Sequence, residues 1–114
     1  MTGPAADPAR LGERLARAWS PATSSKWRPE NPARGQCGVT AIAVQRLCGG
    51  DILKTRTPDG AHFYNRIGGV RLDFTASQFD SPPPYEDLAS DAAEALADTS
   101  PEQLAALLRR LEAR

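Results

Sequence analysis

An uncharged apolar segment in the middle of the chain constrains the fold more than any other feature. From Cys37 it reads CGVTAIAVQRLCGG, and its small and branched apolar residues run without a charge as far as Arg46. The two glycines that close it suit the end of a helix. Because a helix that is apolar on all sides is buried, we predict a central helix over about 37–48 that the rest of the chain covers.

A strand-rich region follows this helix. Three runs have the composition and alternation of strands: 51–57, 61–67 and 70–75. The first two runs are separated by a Pro-Asp-Gly turn, and the last two by a pair of glycines. A two-residue turn at the glycines would pair Ile67 with Val70. The region is therefore predicted to form a three-stranded antiparallel meander.

A helix is also predicted before the central one. Asp7 and Pro8 form a cap and first-turn signal, after which apolar residues recur at spacings of three and four. We therefore predict a helix over about 8–19. The loop that follows, 20–35, contains three prolines and is predicted to deliver Trp27 toward the core.

The C-terminal part is predicted to be helical. A weak helical pattern spans about 85–97, and Ser100 begins a capping signal for a final helix with one leucine stripe. A chain of 114 residues supplies one core. The predicted fold class is α+β, with residues 1–114 as a single domain whose central helix packs on a small antiparallel sheet between flanking helices. Residues 1–6 are expected to be disordered.

Composition narrows the classes of partner. The 14 basic and 14 acidic residues give a net charge of zero, and no basic cluster with interleaved aromatics occurs, so nucleic acid is not expected as a partner. No run approaches the ~20 apolar residues of a membrane span, and no apolar signal core is present. We expect no membrane association and a cytoplasmic location. Cys37 and Cys48, roughly 16 Å apart along one helix, should both be free thiols, and Cys48 is expected to be a plain core residue.

Three residues form a candidate catalytic group. Cys37 opens the central helix between Gly35 and Gly38, while His62 and Asp73 fall on neighbouring strands as diagonal neighbours on one face. A nucleophile, a base and an orienting carboxylate are commonly supplied in this way. The helix dipole and a nearby imidazolium would leave the thiol partly ionised near neutral pH. The predicted function is a cysteine hydrolase or acyltransferase that acts on an amide, ester or thioester through an acyl-enzyme.

Four further residues are candidates for the oxyanion site or the substrate pocket. The backbone N–H of Cys37 can supply one oxyanion donor, and Gln36, Asn31 and Trp27 all remain open as the second. Tyr64 shares a strand face with His62 and is the fourth candidate. The expected substrate is a small acyl or peptide compound.

Each assignment has a structural alternative. Cys37 could be a small core residue, Asp73 could pair with Arg71 or accept from Tyr64, and Trp27 could serve packing alone. A metal site built from the three candidate catalytic side chains is disfavoured because no close-spaced ligand pair occurs. No cofactor is predicted.

Three segments carry a resemblance to a known family. SSKWRPENPARGQCGVTAIAVQ, GGDILKT and HFYNRIGGVRLDFTASQF together resemble the YunG-like family of small, mostly uncharacterised bacterial proteins, over about residues 18–80. The layout also resembles the papain-like and transglutaminase-like superfamily. That resemblance implies a compact papain-like α+β fold, with Cys37 as nucleophile, His62 as base and Asp73 as the orienting residue.

The chain departs from the superfamily pattern in two places. Gln36 is adjacent to the cysteine, whereas papain-like peptidases place their oxyanion glutamine several residues earlier. Phe63 and Tyr64 follow the histidine where transglutaminases usually have a tryptophan. Because the chain is also short, the resemblance implies a small substrate or a protein partner that completes the site. The alternative function is an inactive papain-like scaffold that binds a peptide or protein through Trp27 and Tyr64.

Overall fold

A computed structural model describes residues 7–112 and shows an α+β fold. In chain order its elements are α1 (Pro8–Ala18), α2 (Cys37–Cys48), β1 (Asp51–Thr57), β2 (Gly60–Ile67), β3 (Val70–Leu72), β4 (Leu88–Ser90), α3 (Ala92–Leu96) and α4 (Pro101–Glu112). The strands form one antiparallel sheet in the order β3-β2-β1-β4. The predicted disorder of residues 1–6 lies outside the described residues. Among helices of residues 7–112, none is long and apolar enough to cross a membrane.

Helix α2 lies at the centre of the fold, as its composition predicts. Every residue from Cys37 to Val44 is buried, and the helix contacts β2, α3 and α4. One polar tie to the sheet is made by Asn65 of β2, whose Nδ2 donates to the Ala41 carbonyl at 3.0 Å. The predicted helix over 37–48 is confirmed, and its two cysteines, one at each end, are free thiols as expected.

The flanking helices also begin where their caps predict. At α1 the Asp7 side chain accepts from the backbone N–H of Arg10 at 3.1 Å. At α4 the Ser100 hydroxyl accepts from the backbone N–H of Gln103 at 3.1 Å. Each cap satisfies a donor that the first helical turn would otherwise leave unpaired. The predicted first and last helices are confirmed.

Helices α1 and α4 are tied to each other by two arginines. Arg14 of α1 donates from Nη2 to the Leu111 carbonyl at 2.6 Å, and Arg110 of α4 donates from Nε to the Ala18 carbonyl at 2.6 Å. Both acceptors belong to the last turns of their helices, where carbonyls lack an intrahelical donor. Each helix thus caps the end of the other.

The hairpin register is as predicted, but the third strand is shorter. Ile67 pairs with Val70 across the glycine turn, yet the strand ends at Leu72 instead of continuing to residue 75. The reason is local, since Asp73 Oδ1 accepts from both the backbone N–H and the hydroxyl of Thr75, at 3.2 and 3.3 Å. This Asx-type turn diverts the chain from the sheet into a short 3-10 helix, Ala76–Gln78.

The prediction of a weak helix over 85–97 is wrong for its first part. Tyr85 and Asp87 have left-handed backbone conformations, with φ of 43° and 54°, and a right-handed helix cannot pass through them. Residues 88–90 instead form β4, which pairs with β1. The sheet therefore has four strands and not three, and only Ala92–Leu96 is helical.

The segment 79–87 covers the face of the sheet opposite α2. Phe79 packs edge-on against the His62 ring, with centroids 4.8 Å apart, and Tyr85 packs edge-on against Tyr64 at 5.2 Å. Asp87 accepts from the Tyr64 hydroxyl at 2.8 Å. As a result His62 and Tyr64 are only 2% and 1% exposed.

Candidate active site

Cys37 is the first residue of α2, and its sulfur lies against two other elements. The thiol donates to Asp98 Oδ2 at 3.4 Å, and the backbone N–H of Phe63 in β2 lies close enough to the sulfur to lower its pKa. Because Phe63 directly follows His62, this second contact brings the sulfur to the strand that carries the imidazole. Cys37 is 8% exposed.

The thiol is held in its protonated form. Burial, and then the negative charge of Asp98, raise the pKa of Cys37 to about 12, whereas the Phe63 N–H acts in the opposite direction. The sequence predicts a partly ionised thiol near neutral pH, and the structure differs because the thiol is buried and because a carboxylate takes the place predicted for an imidazolium. A charged neighbour of like sign disfavours the thiolate.

Asp98 reaches Cys37 because the next residue of α2 is a glycine. A Cβ at Gly38 would lie 2.9 Å from Asp98 Oδ2 and 2.8 Å from the Ala95 carbonyl, closer than such atoms approach. The glycine therefore lets α3 and the linker to α4 pack directly on the start of α2. No local sequence pattern marks Asp98 as a neighbour of the cysteine.

The structure brings His62 and Asp73 together. Their Nε2 and Oδ2 atoms are 2.7 Å apart, and Asp73 Oδ2 also accepts from the Tyr85 hydroxyl at 2.7 Å. Burial and this contact raise the pKa of Tyr85, so it remains a donor to the carboxylate. The alternative partners considered for Asp73, Arg71 and Tyr64, both bond Asp87 instead.

The second nitrogen of His62 has no partner within residues 7–112. Nδ1 is buried without a hydrogen bond, although Asp73, Phe79 and Tyr64 fix the ring on its other sides. In the part of the chain that is described, no hydrogen bond joins Nδ1 to Cys37. The structure thus places the thiol beside the histidine strand, bonded to Asp98.

Three of the remaining candidate residues belong to the segment that precedes α2. Gln36 is fully buried, and its Oε1 accepts from Thr23 at 2.9 Å while its Nε2 has no partner in residues 7–112. Trp27 likewise has a buried, unpaired Nε1 there. Asn31 is engaged, since its Nδ2 donates to the Gln78 carbonyl at 3.1 Å. Unpaired buried donors are rare in folded proteins, so Gln36 and Trp27 stand out.

The candidate catalytic side chains do not form an evident metal site. Among the described residues, no group of three or more His, Cys, Asp or Glu side chains is arranged to hold a metal ion. The polar partners of Cys37, His62 and Asp73 are the protein groups named above.

The fold and the site define a class: an α+β domain in which a cysteine at the start of a buried helix adjoins the strand of a histidine–aspartate pair. The chain belongs to the YunG family, because the family model described as "YunG protein" matches residues 7–114. A relative from Bacillus subtilis (strain 168), called "Uncharacterized protein YunG", is 49% identical over 89 residues, which cover 78% of this chain and 77% of that one. No solved structure was found to match.

Proposed function

We propose that the protein is a cysteine hydrolase or acyltransferase with papain-like chemistry. The observation that carries this proposal is the state of His62, whose Nε2 is bonded to Asp73 while Nδ1 is buried and unpaired within residues 7–112. An unpaired buried polar atom costs roughly 1–3 kcal/mol. An imidazole oriented by a carboxylate on one side and open on the other is what a general base requires.

The Phe63 contact supports Cys37 as the nucleophile. The Phe63 N–H lies beside the sulfur, at the residue next to His62, and the proposal requires that the Cys37 side chain rotate away from Asp98 toward Nδ1. The thiol proton then passes to His62 as sulfur attacks the substrate carbonyl and a C–S bond forms. The bond from the carbonyl carbon to the leaving group then breaks, and the leaving group takes that proton. Water or another acceptor next attacks the acyl group and gives its proton to His62; the C–S bond breaks, and the sulfur recovers the proton from His62.

Gln36 is the preferred second oxyanion donor. Its Nε2 is buried without a partner in the described residues, and it directly precedes Cys37, whose own N–H belongs to the first turn of α2 and has no intrahelical acceptor. Asn31 is a weaker candidate because its Nδ2 already donates to Gln78. Two such donors would stabilise the charge that develops on the carbonyl oxygen.

The test is an acyl-enzyme trapping experiment. The Cys48→Ser variant, which keeps Cys37 as its one thiol, is incubated with an activated acetyl ester and its peptides are examined by mass spectrometry. We expect one acetyl group on Cys37, formed at least about a hundredfold more slowly after His62→Ala, because a general base contributes that much. The matched control is Asp59→Asn, at an exposed turn. Acetylation unaffected by His62→Ala would refute the proposal.

A second candidate function is a non-catalytic scaffold that binds a peptide or protein. It is favoured by the pKa of about 12 at Cys37 and by the bond of this thiol to Asp98. Tyr64 is buried and bonded to Asp87, which leaves Trp27 as the candidate contact residue. Under this function no ester gives an acyl-Cys37 adduct, and binding of the partner survives Cys37→Ser.

A further inference from the structure

A cationic pocket lies in the loop before α2. It has a volume of about 370 Å³ and is lined by Ser25, Lys26, Trp27, Arg28, Pro29 and Arg34. We call it the loop pocket. Three of its lining residues are positively charged and none is acidic, although the whole chain has a net charge of zero.

The positive charges of the loop pocket are not compensated by the protein. Within residues 7–112, no carboxylate forms an ion pair with Lys26, Arg28 or Arg34. In the sheet, by contrast, four cationic side chains each form an ion pair with a carboxylate: Lys54, Arg56, Arg66 and Arg71. A group of cations that shares a concave surface and lacks an internal partner is suited to an external anion.

Trp27 lines the same pocket and carries a further unpaired group. Its Nε1 is buried and has no acceptor among the described residues, while the ring packs against the hydrophobic core. A ligand oxygen that reached this N–H would remove the cost of leaving it unpaired. The charges of the lining residues favour an anionic ligand, which also carries such oxygens.

The backbone around the loop pocket is held in place before any ligand arrives. Arg28 and Asn31 form an isolated bridge across the tip of the loop, and Asn31 is anchored to Gln78. Gly35 has a φ of 74°, and a Cβ there would lie 2.9 Å from the Cβ of Lys26. A site formed in advance loses less entropy on binding.

We infer that the loop pocket binds the carboxylate or phosphate group of a small ligand. Arg34 precedes Cys37 by three residues, so their Cα atoms are at most about 11 Å apart. This distance suits a substrate whose anionic group is bound in the loop pocket while its acyl group meets the thiol. Only this link to the substrate rests on the proposed function, and the binding itself does not.

The test follows the two indole N–H signals by nuclear magnetic resonance. The full chain is titrated at constant ionic strength with inorganic phosphate in one arm and succinate in the other, and Trp27→Phe assigns the signals. We expect a saturable shift of the Trp27 signal with at least one probe, while the Trp19 signal, bonded to Thr40, stays unchanged. The probe that binds identifies the anionic group.

Two double variants that remove the same charge distinguish binding of the anion in the loop pocket from its general attraction to positive charge. Lys26→Gln with Arg34→Gln is expected to weaken binding about tenfold or more, since hydrogen bonds to charged groups contribute about 1.5–3 kcal/mol and 1.4 kcal/mol is tenfold. Arg17→Gln with Arg46→Gln, at exposed positions on α1 and α2, removes the same charge and should leave the affinity within about twofold.

Two results would overturn the inference. One is a Trp27 signal that neither probe shifts at about 50 mM, well above a millimolar dissociation constant. The other is equal weakening in the two double variants. If the anion still binds a Cys37→Ser protein and the wild type forms no acyl-enzyme, the proposed function is refuted, whereas anion binding in the loop pocket is supported.

Discussion

Asp98 adds to the effect of burial in keeping Cys37 protonated, and its removal should activate the thiol. We predict that Asp98→Asn lowers the pKa of Cys37 by about one unit, because a like charge near the thiolate is lost. Below the pKa, each unit gives about tenfold more thiolate, so alkylation by iodoacetamide should be about tenfold faster at pH 8. The measurement is the alkylation rate of a Cys48→Ser background as a function of pH.

The sign of this pH dependence is fixed by the chemistry. The rate rises with pH in both proteins, since only the thiolate reacts, and it levels off at a lower pH in Asp98→Asn. Asp59→Asn, the same change at an exposed turn, should follow the wild type. Coincident profiles for Asp98→Asn and the wild type would show that burial alone raises the pKa.

Among single residues, part of the candidate site was predictable from the sequence. The histidine–aspartate contact follows from strand alternation and a two-residue turn, both of which are local rules. Asp98 could not be found in this way, because it lies 61 residues from Cys37 and its position depends on how α3 packs. The unpaired nitrogens of Gln36 and His62 likewise depend on the neighbours that tertiary packing supplies.

Replacement of a glycine by alanine should change stability in opposite directions in α2 and α1. Gly38→Ala should lower the free energy of unfolding by about 1–3 kcal/mol, because its Cβ would overpack against Ala95 and Asp98. Gly12→Ala in α1 should raise it by about 0.5–1 kcal/mol, since its Cβ meets only the Phe74 ring at 3.6 Å and alanine is the better helix former.

Urea denaturation of both variants checks this pair. The same substitution in two helices isolates the effect of the α3 packing from helix propensity. If Gly38→Ala proved as stable as Gly12→Ala, the close approach of α3 and Asp98 to α2 would be wrong. The Gly38→Ala variant should also alkylate faster at Cys37, because Asp98 is displaced.

At the scale of elements, long patterned segments were predictable and short ones were not. Helices α1, α2 and α4 and the β2–β3 hairpin were predictable from periodicity, caps and turn residues. Strand β4 has only three residues, too few for a period. Its position depends on Asp87, whose pKa is lowered to about 2 chiefly by the hydrogen bond from Arg71. This is a long-range contact that no local pattern encodes.

Across the whole molecule, the two arginine ties join helices at opposite ends of the described chain. We predict that Arg14→Gln with Arg110→Gln lowers the free energy of unfolding by about 1–3 kcal/mol, because two helix-end carbonyls lose charged donors. The midpoint of thermal unfolding should fall while the transition stays single. Arg17→Gln, at an exposed position of α1, is the matched control, and equal effects in both proteins would refute the role of the ties.

The architecture as a whole follows from the central apolar segment. A helix buried on every side requires cover from a sheet and from other helices, which predicts one α+β domain. What the segment does not determine is the second layer on the far side of the sheet. That layer, residues 79–87, is held by two hydrogen bonds to the sheet. The Tyr64 hydroxyl donates to the Asp87 carboxylate, and the Thr55 hydroxyl accepts from the backbone N–H of Glu86.

The bond between Cys37 and Asp98 has a thermodynamic consequence for the linker between α3 and α4. A sulfur that carries a covalent adduct no longer donates to the carboxylate, so adduct formation and closure of this linker on α2 oppose one another. Linkage of this kind is reciprocal. A partner that draws the linker away from α2 therefore favours modification of the thiol. By the same free energy, modification of the thiol favours release of the linker.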